Sequence, residues 1–212
     1  MKHPVMILLC AIAPFVLAAG TGGGGQSNRE LQASASASAA ALYRSGLRYK
    51  HRAWQQEQHA GDASDPAERD RQLARSNRNF SRAADQVRKA LAADENHAEA
   101  ASELGYALRR TGRYEEAIDW YDHALRVNPD LLQAVEYRGE AYLETGELEA
   151  ARGAYMSLFR GNADLADQML AAMEAWTARN EGLEPEFSEW VVERRALREL
   201  TRSEASSGRA AW

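Results

Sequence analysis

The chain of 212 residues is 45% hydrophobic and 27% charged, with a formal net charge of −5, the scale and balance of one medium-sized folded unit with a real core. Its single cysteine, Cys10, lies in the first twenty residues, so the remainder has no thiol for a disulfide, a thiolate metal site or a cysteine nucleophile. The charge is divided, because residues 29–90 carry 12 basic and 7 acidic side chains whereas residues 91–190 carry 8 and 21.

The start, MKHPVMILLCAIAPFVLAAG, has one lysine in a short polar head, an apolar run from Val5 to Ala19, and small residues at Ala18, Ala19 and Gly20. This is the layout of a secretory signal peptide over residues 1–19, and it predicts an exported, periplasmic protein. A membrane anchor is the rival reading, but 15 apolar residues interrupted by Pro14 fall short of the ~20 that span a bilayer. Leu9 before Cys10 argues against lipid attachment. Residues 20–34, rich in Gly and Ser, read as a flexible tether.

Beyond the tether nearly everything reads as helix. Proline stands only at the boundaries Pro66, Pro129 and Pro185, and no Val/Ile/Thr alternation suggests strands, so the fold class is all-α. Residues 35–96 form a long helical hairpin, its first helix placing Tyr43, Leu47 and Trp54 on one face. Its second helix opens with Asp65 as N-cap, Pro66 at the first helical position and Glu68 placed for a capping box. The apolar stripe of that helix is Leu73, Phe80, Ala84, Val87 and Leu91. Four shorter helices, separated by the turns TGR, NPD and TGE, occupy residues 97–162. Two final helices over 163–204 carry Met169, Leu170, Met173 and Trp176, then Phe187, Trp190, Val191 and Leu197, and are expected to cap the stack. Residues 205–212 read as a frayed tail.

Shifting the sequence against itself by 34 residues pairs Gly105 with Gly139, Ala117 with Ala151 and Tyr121 with Tyr155. A period of that length in a helix-turn-helix setting means a stacked array. The small residues permit close helix approach, the aromatics fill the gap to the next pair, and Pro129 ends a helix where the chain turns. Leu104, Gly105, Leu108, Ala117, Tyr121, Ala124 and Pro129, followed by Gly139, Tyr142, Ala151 and Tyr155, resemble the tetratricopeptide repeat family. Ala83 and Ala90 resemble the second helix of an earlier, lengthened repeat. The resemblance implies a short solenoid of antiparallel helix pairs with a lengthened first pair and capping helices at its C-terminal end.

It also implies a binding groove lined by the first helix of each pair. Carried across, the groove-facing places are Glu99, Ser102, Glu103, Tyr106, Arg109 and Arg110, then Gln133, Glu136, Tyr137, Glu140, Leu143 and Glu144. Tyr43, Arg44, Leu47, Lys50 and His51 join them from the lengthened pair. The Lys, Arg and Asn clamp that some members use on acidic tails is absent, since Ser102, Tyr106 and Tyr137 stand there. An acidic, aromatic groove suits a ligand with basic and apolar side chains; the plain alternative is a solvated face. An arginine stripe, Arg71, Arg75, Arg78 and Arg82, either meets an anionic envelope component or is simply solvated or paired.

Catalytic signals are sparse. Asp119 and His123 share a helix face as a weak metal pair without a third ligand at characteristic spacing, and neither a nucleophile elbow nor a phosphate loop is visible. The expected partner is another protein, with no enzyme activity, no cofactor, no metal and no nucleic acid; self-association is left open.

Overall fold

The computed structural model describes residues 28–209, with the side chains of residues 28–203 other than Leu31. The expected leader, Cys10 and residues 20–27 of the expected tether lie outside the described residues. Eight helices occur among those described: α1 (Asn28–Asp62), α2 (Pro66–Leu91), α3 (Ala98–Arg110), α4 (Tyr114–Val127), α5 (Leu132–Thr145), α6 (Leu148–Gly161), α7 (Ala163–Arg179) and α8 (Pro185–Arg209). There is no strand among them.

The helices pack as successive pairs, α1/α2, α3/α4, α5/α6 and α7/α8. Each first helix also touches the first helix of the next pair, and each of α2, α4 and α6 touches the first helix that follows it. The first helices α1, α3, α5 and α7 therefore make one continuous inner face, backed by the second helices. This is a helical solenoid, and α7 packs on α5 and α6 as the first helix of a further pair would.

Two boundaries differ from expectation. Helix α1 begins at Asn28, so residues 28–34 are helical rather than tether. The run RELQASASASAA contains no Gly or Pro, and its Ala, Glu, Leu and Gln residues carry the helix toward the N terminus. Helix α8 likewise continues through residues 205–209 of the expected tail, because one glycine costs only ~1 kcal/mol in a helix already established.

The α1/α2 pair closes through small residues. Ala39, Gly46, Ala53 and Ala60, at seven-residue steps, are all buried, and a Cβ on Gly46 would lie 2.5 Å from Val87 Cγ2. Phe80, 1% exposed, fills the space over Ala53. The expected stripe on α2 starts one place late: Leu73 is 47% exposed, while Gln72 and Ser76 are buried in its stead. The cap also differs. Asp65 accepts from the Ala67 N–H at 3.1 Å, but Glu68 accepts from Arg71 Nε at 2.8 Å and from Gln72 Nε2 at 2.5 Å instead of completing a capping box. A guanidinium is the stronger donor for a carboxylate.

The repeat residues are packing residues. Ala117, Tyr121 and Ala124 are fully buried, and the Tyr121 ring lies where a Cβ on Gly105 would be, 2.8 Å from Cε1. Gly112 and Gly146, at φ 78° and 79°, turn the chain in TGR and TGE, where a left-handed residue is required. In the next pair the same sequence positions find other neighbours. Gly139 is closed by Met169 and Ala154, whereas Tyr155 stands edge-on to Trp190 at 5.5 Å. Met169, Leu170 and Met173 are fully buried, and Trp176 meets Phe187 edge-on at 5.5 Å. Leu197, expected in that core, is 47% exposed.

Candidate functional site

Between α3, α5 and α7 the inner face opens into a cavity of about 480 Å³. Tyr106, Arg109 and Arg110 line it from α3, Glu136, Tyr137 and Glu140 from α5, and Gln168 and Ala171 from α7. Six of the residues expected to face a groove are thus brought to one place.

Their charges are already matched across neighbouring first helices. Lys50 Nζ on α1 stands 2.5 Å from both Glu103 carboxylate oxygens on α3. Glu57 pairs with Arg110, Arg109 pairs with Glu140, and Arg179 Nη2 on α7 reaches Glu144 at 2.6 Å. Each partly exposed pair contributes only ~0.2–1 kcal/mol, so the ladder chiefly sets the register of one helix against the next.

The aromatics are tied in as well. The Tyr106 hydroxyl accepts from Trp54 Nε1 at 2.8 Å and from Arg110 Nη1 at 2.9 Å. Its ring lies 4.9 Å from the Tyr137 ring, and Lys50 Nζ sits 4.8 Å over Trp54. Tyr106 is consequently only 6% exposed, and of the two tyrosines expected to offer apolar area only the half-buried Tyr137 does so.

Glu136 corrects the expectation of an acidic groove. It is 1% exposed and accepts from Gln133 Nε2 at 2.8 Å. Burial first, and then the neighbouring Glu140 carboxyl, push its pKa up to about 9, against the opposing pull of Arg109. At neutral pH Glu136 is a protonated acid, while Glu103 and Glu140 each face a cation. The centre of the inner face is close to neutral.

The other expected places divide by burial. Ser102 and Leu143 are buried and face packing, whereas Glu99 and Glu144 are exposed. Tyr43 packs against the His97 ring at 4.9 Å; burial, then Glu103 and Glu99, push its hydroxyl up to about 12. Tyr43 and Arg44 line a second cavity of about 260 Å³ between α1 and the α2–α3 turn. Leu47 and His51 lie on the free surface of α1 with Arg48, Arg52 and Gln55.

All four stripe arginines on α2 are exposed. Arg71 pairs with Glu68 at 2.7 Å and Arg82 lies 5.9 Å over the Tyr49 ring, while Arg75 and Arg78 make no ion pair among the described residues. His123 Nε2 is 2.7 Å from the Glu95 carbonyl, and no group of three His, Cys, Asp or Glu side chains able to hold a metal occurs among the described residues. No helix among them is long and apolar enough to cross a membrane.

The residues expected to line the groove do not include Trp54, Glu57, Gln168, Ala171 or Arg179, although Trp54 is expected on one face of the first helix with Tyr43 and Leu47. One more shift by 34 residues, from Ala134 to Gln168 and from Tyr137 to Ala171, locates the α7 pair. Helical spacing places Trp54 on the face of Tyr43 and Leu47 but gives it no partner, and nothing local marks Glu57, because the lengthened first pair breaks the period. A family model described as tetratricopeptide repeat matches residues 72–131 and again residues 122–166. A comparison with curated proteins gave no match.

Proposed function

The chain belongs to the tetratricopeptide repeat family, and from that premise we propose that it is an adaptor or assembly factor that takes a segment of a partner protein on its inner face. Repeats of this kind suggest a protein–protein interaction module, and the family is typically a non-enzymatic scaffold. The observation that carries the reading is the cavity between α3, α5 and α7, where Tyr137 offers an apolar face beside the hydrogen-bonding groups of Arg110, Glu140 and Gln168. With its ions matched internally, such a site draws little long-range attraction from a basic ligand. Recognition there rests on shape and on hydrogen bonds. The expected leader supports a setting in the cell envelope, in the periplasm.

Tyr106 is too buried to serve as a probe, so the test uses the exposed rim. Ala171→Trp and Gln168→Trp fill the cavity from α7 without touching the ion-pair ladder. A partner captured from native extract by the wild type and lost by both variants places binding there. Capture that survives both variants sinks the inner-face reading.

A further inference from the structure

Helix α8 turns Arg194, Arg195, Arg198 and Arg202 toward the stack. Arg195 holds the Glu174 carboxylate, Arg198 Nε reaches Asp167 Oδ1 at 2.7 Å, Arg202 joins it on Asp167, and Arg194 lies 5.4 Å over the Trp190 ring. The opposite side of α8 is thereby left with Val192, Ala196 and Leu200 at four-residue steps. Val192 is 69% and Leu200 58% exposed, and Glu189, Glu193 and Glu199 are exposed beside them. A terminal helix that only closes a solenoid presents a polar outer side. This one presents an apolar rail between carboxylates.

The other end of the stack has the opposite sign. Arg75, Arg78 and Arg82 on α2 and Arg48 and Arg52 on α1 are exposed. Arg52 and Arg82 both stand over the Tyr49 ring, at 5.5 and 5.9 Å, which joins the arginines of the two helices into one patch. Three carboxylates of this pair are engaged in ion pairs of their own, Glu57 with Arg110, Glu68 with Arg71, and Asp85 with Arg88 at 3.7 Å. Arginine stems and the Tyr49 ring supply apolar cover under the charges.

We propose that copies of this chain associate head to tail, the basic outer side of the α1/α2 pair of one copy seating on the acidic, apolar-railed outer side of α8 of the next. Charge complementarity between the two ends of one chain selects a second copy. An anionic surface would account for the arginines but leave Val192 and Leu200 uncovered. The contact joins two different patches, so it is heterologous and builds rings or open chains rather than a closed two-fold dimer. It is independent of whether a partner occupies the inner face.

The test is light scattering and sedimentation of the chain over a concentration series at low and high salt. Two variants reverse exposed charges only: Arg75→Glu/Arg78→Glu/Arg82→Glu, and Glu189→Arg/Glu193→Arg/Glu199→Arg, with helical content checked by circular dichroism. The wild type associates at low salt and dissociates as salt rises. Each variant alone loses association at least roughly tenfold in apparent Kd, and an equimolar mixture of the two regains it, since each then supplies the end the other needs. A wild type that stays monomeric throughout, or a mixture that stays monomeric, overturns the proposal. So does a monomer that binds phosphatidylglycerol vesicles through the same arginines.

Discussion

Glu136 and the helix glycines show how much one residue's environment decides. In the unfolded chain Glu136 ionises near 4.5, whereas in the fold it keeps its proton up to about 9. The folded state therefore binds more protons across that window. This contribution is fully favourable at low pH, and stability falls as pH rises from about 4.5 to about 9, then levels off. Glu136→Gln, uncharged at every pH, flattens that slope and is more stable than the wild type near pH 8; urea unfolding at several pH values reads it, and an unchanged slope would exclude Glu136 as its source. The glycines give a paired contrast. In Gly105→Ala the new Cβ lies 2.8 Å from the rigid Tyr121 ring and costs ~1–3 kcal/mol. In Gly139→Ala it meets chiefly the flexible end of Met169, so the expected cost is smaller, although both glycines occupy the same place in the repeat. Thermal unfolding of the two variants compares them.

At the scale of elements, neighbouring first helices are held in register by cross-helix bonds that no single helix encodes. Tyr106→Phe keeps the ring against Tyr137 but removes the acceptor of Trp54 Nε1 and Arg110 Nη1. The expected loss is ~0.5–1.5 kcal/mol for each bond, seen as a lower urea midpoint at unchanged slope. Within helices the reading from sequence was close. The turns TGR and TGE, the cap at Asp65 and the pairing of helices across 97–162 depend on neighbours a few residues away, and the structure has them there. The α1/α2 contact was less legible. Its seven-residue series of Ala and Gly carries no hydrophobic contrast, and the more conspicuous Tyr43 and Trp54 face α3 instead.

For the whole molecule, the last pair does more than end the chain. Phe187 and Val191 are 2% and 1% exposed, and Trp190 covers Tyr155, so α8 completes a core that begins on α5 and α6. A chain ending at Asn180 leaves Trp176 without Phe187 and Tyr155 without Trp190. Removing the buried Phe187 and Val191, each worth ~1.5–3 kcal/mol, together with the half-buried Trp190, lowers Tm and makes unfolding of the last pairs less cooperative than that of α1–α4. Calorimetry of the truncated chain checks this, and an unchanged single transition would show that α8 is dispensable to the core. Charge is organised on the same scale: the division between residues 29–90 and 91–190 becomes a basic first pair and a largely acidic remainder of the stack.

The amino-acid sequence by itself determined the all-α class, the helix pairs, their turns and the small and aromatic residues that let them nest. Each of these follows from local periodicity, backbone freedom at Gly112 and Gly146, and a repeat of 34 residues. Only the tertiary structure decided that Tyr106 is buried, that Glu136 is neutral and that α7 continues the inner face. Burial and charge state depend on side chains brought together from distant parts of the chain, such as Lys50, Trp54 and Glu57 against Glu103, Tyr106 and Arg110, and no local pattern carries that information.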